Sequence, residues 1–341
     1  MNKKSLLRWG LTALTIIIIA SATTYAYWCH IAYASYDGDS AAWIYVPKNA
    51  SSDYIRKELT DKAGDAGKNA ARLWSWFNGD PSKAHGAYKI EQGTTSLQMF
   101  KSISRGSQTP VRLTFNNIRT IDQLASRVAS RMEFDSLQFI SSMDSILPAK
   151  GFKKSTYTAA FLPDTYEFYW TASPAKVINT LLKHRNDFWN EERRAKAKKL
   201  GLTPVEIATV ASIAEEETNS RQERGTVARL YLNRIHRGMP LQADPTVKFA
   251  VGDFSIKRIT NAHLNTASPY NTYKFAGLPP GPIRMPESAT LDAVLDSKPH
   301  NYIYMCAKED FSGRHNFTSD YAAHQRNASR YRQELNRRNI K

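Results

Sequence analysis

Three consecutive carboxylates, Glu215, Glu216 and Glu217, close the segment Thr203-Pro204-Val205-Glu206-Ile207-Ala208-Thr209-Val210-Ala211-Ser212-Ile213-Ala214-Glu215-Glu216-Glu217-Thr218. The segment reads as a helix with its register fixed at the start. Thr203 caps it, Pro204 takes the first turn where its missing N–H is harmless, and Glu206 completes a capping box. On that register Glu217 lies over Ile213 and Ala214 and, one turn further back, over Val210. A carboxyl group that ends an apolar face is partly desolvated, and desolvation raises its pKa. Such a group still holds a proton near neutrality, which a general acid must hand to a leaving oxygen. Glu215 lies over Ala211 and Ser212, a mixed face, and Glu216 over Ser212 and Ile213. The competing reading is structural: the acids form a solvated cluster, or one of them pairs with Arg221 or Arg224. Acids at a helix C-terminus oppose its dipole, a cost that favours a functional reason.

The remaining chemistry is quickly bounded. Eight histidines are scattered without metal-ligand spacing, and there is no HExxH, paired CxxC, GxSxG or phosphate-cradling glycine loop. Neither a metal nor a cofactor is expected. Two cysteines, Cys29 at the membrane boundary and Cys306, do not make a disulfide framework, although an oxidising compartment would permit a bridge.

The elements that must position the carboxylates suggest an α+β protein. Trp43 to Val46 reads as a strand, and a helix starts near Ser51 or Ser52. A second helix runs through Ala71 to Phe77, and Gly86 to Ile90 is a strand. Thr94 or Thr95 caps a further helix that closes at Gly106, and Val111 to Phe115 alternates as a half-buried strand. After Thr120 the pattern turns mainly helical: Ile121 to Val128, Phe134 to Ile146, Ala175 to about Leu200, from Thr203, and around Thr226 to Arg237. A Pro-marked loop is expected at Phe161 to Tyr166, with Asp164 holding a turn. Residues 238–286 are punctuated by proline and glycine and read as active-site loop rather than core; Pro279 to Pro282 stiffens it.

The N-terminus sets the compartment. Lys3, Lys4 and Arg8 precede an uncharged run from Trp9 to Cys29. About 20 helical residues span roughly 30 Å, a bilayer core, and basic residues flank only the N-terminal side. The expectation is a retained single-pass anchor with a cytoplasmic N-terminus and everything after residue 30 outside, the alternative being a cleaved signal peptide. The chain's 341 residues carry a net charge of +16. For an exported domain that charge fits anionic lipid headgroups or an acidic wall polymer, and nucleic acid is excluded as a partner.

The motifs Ala211 to Thr218, Asn233-Arg234, Gly238 to Val247, Tyr270 to Tyr273, Gly277 to Ile283 and His315 to Thr318 together resemble the endolytic murein transglycosylase (YceG-like) family. Leu162-Pro163-Asp164-Thr165-Tyr166 extends the likeness upstream, and order and spacing hold across roughly residues 160 to 325. The resemblance implies a cytoplasmic stub and anchor over 1–30, a LysM-like module over 40–115 and a YceG-like catalytic domain over 116–341. In the family the catalytic acid is the last glutamate of a Glu-x-Glu-Thr segment, which falls on Glu217; the middle position, usually basic there, is Glu216 here.

The implied reaction cuts between N-acetylmuramic acid and N-acetylglucosamine within a peptidoglycan strand and leaves a 1,6-anhydro end. The implied setting is the inner membrane, beside peptidoglycan synthases, where such a cut terminates nascent strands. Gln242 and Asp244 are candidates to bind sugar hydroxyls or amides, or Asp244 caps the helix beginning at Pro245. Tyr270 and Asn271 offer stacking area and an amide, with Tyr273 either beside them or in the core. His315 binds substrate or is a satisfied structural histidine.

Overall fold

The structure, a computed structural model, describes residues 3–338; residues 1–2 and 339–341 of the expected stub and C-terminal domain, and the side chains of Lys3 and Lys4, lie outside that description. The fold mixes helices with short two-stranded sheets, and the chain divides into two compact units.

The first unit takes residues up to 112 with short returns at 131–133 and 167–172. It begins with α1 (Lys3–Ala32), long and apolar enough to cross a membrane. β1 (Ala42–Val46) pairs antiparallel with β2 (Gly86–Ile90), Ile44 opposite Tyr88. Between them α2 (Ser52–Trp76) reverses at Ala63 and Gly64, so that Arg56 reaches back to the Ser75 hydroxyl at 3.1 Å. Gly64 makes that turn with φ 55° and ψ −138°, open in practice only to glycine. The two expected helices are thus two arms of one element. α3 (Ser96–Ser104) starts at a capping box of Thr95 and Gln98. The core is built from Ile44, Val46, Ile55, Leu59, Trp74, Tyr88, Met99 and Ile103. The polar stretch that follows α1, from Tyr33 to Ser40, is tied into the unit rather than running free. Tyr36 exchanges backbone hydrogen bonds with Thr94 and Gly93, and Ser96 donates to Ala34.

The second unit carries the catalytic candidates. β3 (Val111–Phe115), whose first two residues belong to the first unit, leads into α4 (Ile121–Ala129) and α5 (Ser136–Ile146), opened by capping boxes at Thr120 and Asp135. β4 (Asp164–Phe168) pairs with β3, the Thr114 and Thr165 hydroxyls 2.8 Å apart, where the sequence suggested only a loop. The helical stretch expected from Ala175 to about Leu200 is α6 (Pro174–Phe188) and α7 (Glu191–Lys199), separated where Asn190 caps the second. α8 (Pro204–Glu217) and α9 (Arg224–His236) follow, then α10 (Asp244–Val251), α11 (Asn261–Leu264) and α12 (Ser288–Leu295). A hairpin of β5 (Tyr304–Ala307) and β6 (His315–Thr318) precedes α13 (Tyr321–Arg337).

Residues 238–286 are more than surface loop: Leu241, Ala243, Val247, Ile283 and Met285 are fully buried. Pro282 accepts from the Thr158 hydroxyl, and a Cβ on Gly281 would fall 1.9 Å from the Ser155 carbonyl oxygen. The proline run packs against the 154–160 segment as well as stiffening its own backbone.

Candidate active site

α8 is placed by its ends. Thr203 accepts from the Glu206 backbone N–H while the Glu206 carboxylate accepts from Thr203 N at 2.7 Å, the reciprocal cap read from the sequence. Every residue from Ile207 to Glu215 is buried, so α8 is a core helix that delivers its last turn to the site. Ser212 accepts from Ile283 N at 3.0 Å and ties the proline-rich segment to the same helix.

The three carboxylates at the end of α8 have different fates. Glu215 is only 4% exposed; it accepts from Glu287 N and the Thr290 hydroxyl at 2.9 and 2.6 Å and pairs with Arg284 at 3.0 Å and Arg224 at 3.6 Å. Glu216 pairs with Arg119 at 2.8 Å and Arg284 at 2.9 Å. Glu217 has no such partner: its Oε2 is out of contact with solvent and accepts no hydrogen bond among the described residues. Burial, reinforced by the negative charge of Asp244, pushes the Glu217 carboxyl up to about 7. A hydrogen bond from the Tyr231 hydroxyl and the charges of Lys248 and Arg234 oppose the rise without cancelling it.

Tyr231, on α9, is buried against Glu217, and burial pushes its phenol well above the ordinary range. One turn on, buried Arg234 donates from Nη1 to the carbonyls of Leu241 and Pro240 at 2.7 and 3.1 Å and to Gln242 Oε1 at 3.4 Å. That guanidinium holds Gln242 with φ 50°, a left-handed conformation costing a non-glycine residue about 1–2 kcal/mol. Asp244 opens α10 without capping it: its carboxylate instead accepts from the Tyr273 hydroxyl at 2.6 Å.

Asn271 is wholly buried, its amide donating to the Leu264 and Thr266 carbonyls and its oxygen accepting from Tyr273 N. It ties the loop that carries Tyr273. Tyr270 packs on Phe249 with ring centroids 4.7 Å apart and planes tilted by 51°, and its hydroxyl donates to the Ser155 carbonyl. His315 is engaged by Glu223 through both its backbone N–H and its ring, each at 3.1 Å.

The structure therefore gathers Glu217, Asp244 and Gln242 around Tyr231, Tyr273 and Arg234. Asn271 lies behind that group, and His315 sits with Glu223 at the start of α9. Tyr231 and the arginines Arg119 and Arg284 were missed from sequence. Tyr231 reads as one more apolar position of its helix, and the arginines come from remote segments. A cavity of about 60 Å³ lies beside Glu216, between Arg119, Lys248, Phe249 and Phe254. A more voluminous one, about 430 Å³ and lined by Lys150, Arg185 and Arg194, sits at the opposite end of α8 beside Pro204 and Val205. It is remote from the carboxylate.

The arrangement is that of a single protonated carboxyl able to give and retake a proton. The family model described as YceG-like matches residues 44–330. An endolytic murein transglycosylase of Bacillus subtilis is 26% identical over 313 residues, 86% of this chain and 86% of the relative. One from Streptococcus pneumoniae serotype 2 is 24% identical over 282 residues, 72% of this chain and 50% of the relative. The crystal structure of a YceG-like protein from Listeria monocytogenes superposes with a TM-score of 0.58 at 24% identity, covering 85% of this chain and 99% of that one; this likeness concerns the fold.

Proposed function

Because the chain belongs to the YceG-like family, we propose that it is a membrane-anchored lytic transglycosylase that cuts peptidoglycan strands internally. The observation that carries the reading is Glu217, a carboxyl raised to about 7 with one oxygen unpartnered, at the end of a helix where the two preceding acids, Glu215 and Glu216, are neutralised by arginines. The bond cut joins N-acetylmuramic acid to N-acetylglucosamine. Glu217 protonates the glycosidic oxygen as oxocarbenium character develops at the muramic C1. The resulting carboxylate takes the proton of the same sugar's C6 hydroxyl, whose oxygen closes on C1 to give a 1,6-anhydro ring. No water enters and one carboxylate suffices, with no metal or cofactor. Asp244 acts through its charge, helping Glu217 keep its proton at neutral pH.

Gln242, Asp244 and Tyr270 contact sugar hydroxyls and amides, while Asn271 and His315 serve binding by holding the loop that carries Tyr273 and the β5–β6 hairpin. α1 crosses the inner membrane once with its N-terminus in the cytoplasm, since Lys3, Lys4 and Arg8 flank only that end. Residues 40–115 form the LysM-like module and 116–341 the catalytic domain. Beside the peptidoglycan synthases, such cuts terminate nascent strands.

The test is mass spectrometry of products from the full-length protein in detergent acting on uncrosslinked nascent glycan, with Glu217→Gln alongside. Internal fragments ending in 1,6-anhydro-muramic acid, absent with the variant, are expected. Reducing ends would instead make Asp244 the second carboxylate of a hydrolase. Binding without cleavage would leave a non-catalytic wall-binding protein.

A further inference from the structure

α1 runs unbroken for 30 residues, about 45 Å at 1.5 Å per residue, close to the full thickness of a bilayer with its headgroups. Its last residues, Ile31 and Ala32, are fully buried in the first unit, so the helix enters the protein without a linker. Four to five residues before that end, Tyr27 meets Trp76 at 6.3 Å and Trp28 meets Phe77 edge-on at 6.0 Å. The rings at the tip of α2 therefore lie roughly 7 Å back along α1 from the point where it enters the protein core, on the membrane side. Trp76 is 49% exposed and Phe77 54%, although both already pack on aromatic neighbours.

We infer that the Trp76–Phe77 tip sits in the outer headgroup layer of the bilayer crossed by α1, giving the first unit a lipid-contacting surface of its own. The indole of Trp76, apolar with an N–H edge, favours that depth, and the Phe77 ring adds apolar area beside it. The flanking charge fits it too. α3 starts at Ser96, which donates to Ala34 beyond the end of α1, and descends to Phe100, packed on Phe77 at 5.5 Å. Lys101 and Arg105, at and beyond the lower end of α3, are exposed cations at headgroup depth, where anionic lipids attract them. Asp80, the acid nearest the tip in sequence, is paired with Lys83 at 3.5 Å.

The inference rests on α1 crossing the membrane, and the experiment separates the two. The full chain, with Cys29→Ser and Cys306→Ser, is labelled with a nitroxide at one cysteine and reconstituted in vesicles of phosphatidylcholine and phosphatidylglycerol. Label depth is read from relative accessibility to oxygen and to a nickel chelate. Ile17→Cys reports the anchor, Lys62→Cys at the turn of α2 reports water, and Trp76→Cys and Phe77→Cys report the tip independently. Expected are a deep label at 17, an aqueous label at 62, and tip labels at intermediate depth, about 15–22 Å from the bilayer centre. Tip labels as accessible to nickel as position 62, with 17 deep, overturn the tip contact and leave the anchor. An aqueous label at 17 overturns both.

Discussion

Burial alone does not select the acid among the three glutamates, because Glu215 is more enclosed than Glu217. What separates them is direct ion pairing: Arg224, Arg284 and Arg119 pair with the first two, while Glu217 meets a phenol and a neighbouring carboxylate and feels Lys248 and Arg234 only as nearby charges. Two substitutions should therefore move the alkaline limb of kcat/KM in opposite directions. Asp244→Asn removes a charge that raises the Glu217 pKa, so activity should fail at lower pH; Tyr231→Phe removes a hydrogen bond that lowers it, so activity should persist to higher pH. Each shift should be about half to one pH unit in a pH–rate profile. Stability offers a second readout. A folded-state pKa of about 7 against the ordinary 4.5 means that the folded chain keeps a proton the unfolded chain has released. The favourable state is then fully present below pH 4.5 and is lost as pH rises through 7. Glu217→Gln should be more stable than the parent at pH 8, by about 3 kcal/mol, and little different at pH 4, measured by denaturant melts. The desolvation of Glu217 was legible in sequence, because Thr203 and Glu206 fix the register of one helix. Its phenol and the arginines of its neighbours were not, because no local rule brings Arg119 or Arg284 to α8.

At the scale of elements, the end of α8 is bolted to the start of α12. Glu215 meets Glu287 N and Thr290, and Arg284 spans Glu215 and Glu216. Removing one partner of such a buried pair leaves a stranded charge, at a typical cost of 3–5 kcal/mol. Arg284→Ala should lower the stability of the second unit by about that much in chemical denaturation, and should lower activity at 25 °C by displacing the last turn of α8. Elements opened by local signals, such as Thr95 with Gln98 on α3 or Thr120 on α4, could be read directly from the chain. Elements made by distant pairing could not. β4 looks like a proline-marked loop until β3 lies beside it, and the four-residue strands β5 and β6 carry too few residues for a period to show.

For the whole molecule, the join between anchor and first unit decides where a soluble form can begin. A form starting at Ile31 keeps the buried pair Ile31 and Ala32, the bridge between Ser35 and Thr95, and the hydrogen bonds of Ala34 and Tyr36. A form starting at Ala41 loses all of them. Burial of one isoleucine alone is worth about 1.5–3 kcal/mol, so the first unit of the shorter form should melt lower by about 10 °C or more in calorimetry. The unbroken course of α1 also sets a helical phase. Each residue turns the helix by about 100°, so the rings of Tyr27 and Trp28 and the buried faces of Ile31 and Ala32 are locked in one angular relation. A single residue inserted between His30 and Ile31 would swing those two rings a quarter-turn or more away from Trp76 and Phe77, whereas the same insertion within the isoleucine run would leave that relation untouched. Along this helix, tolerance to length change should therefore end abruptly where the membrane does.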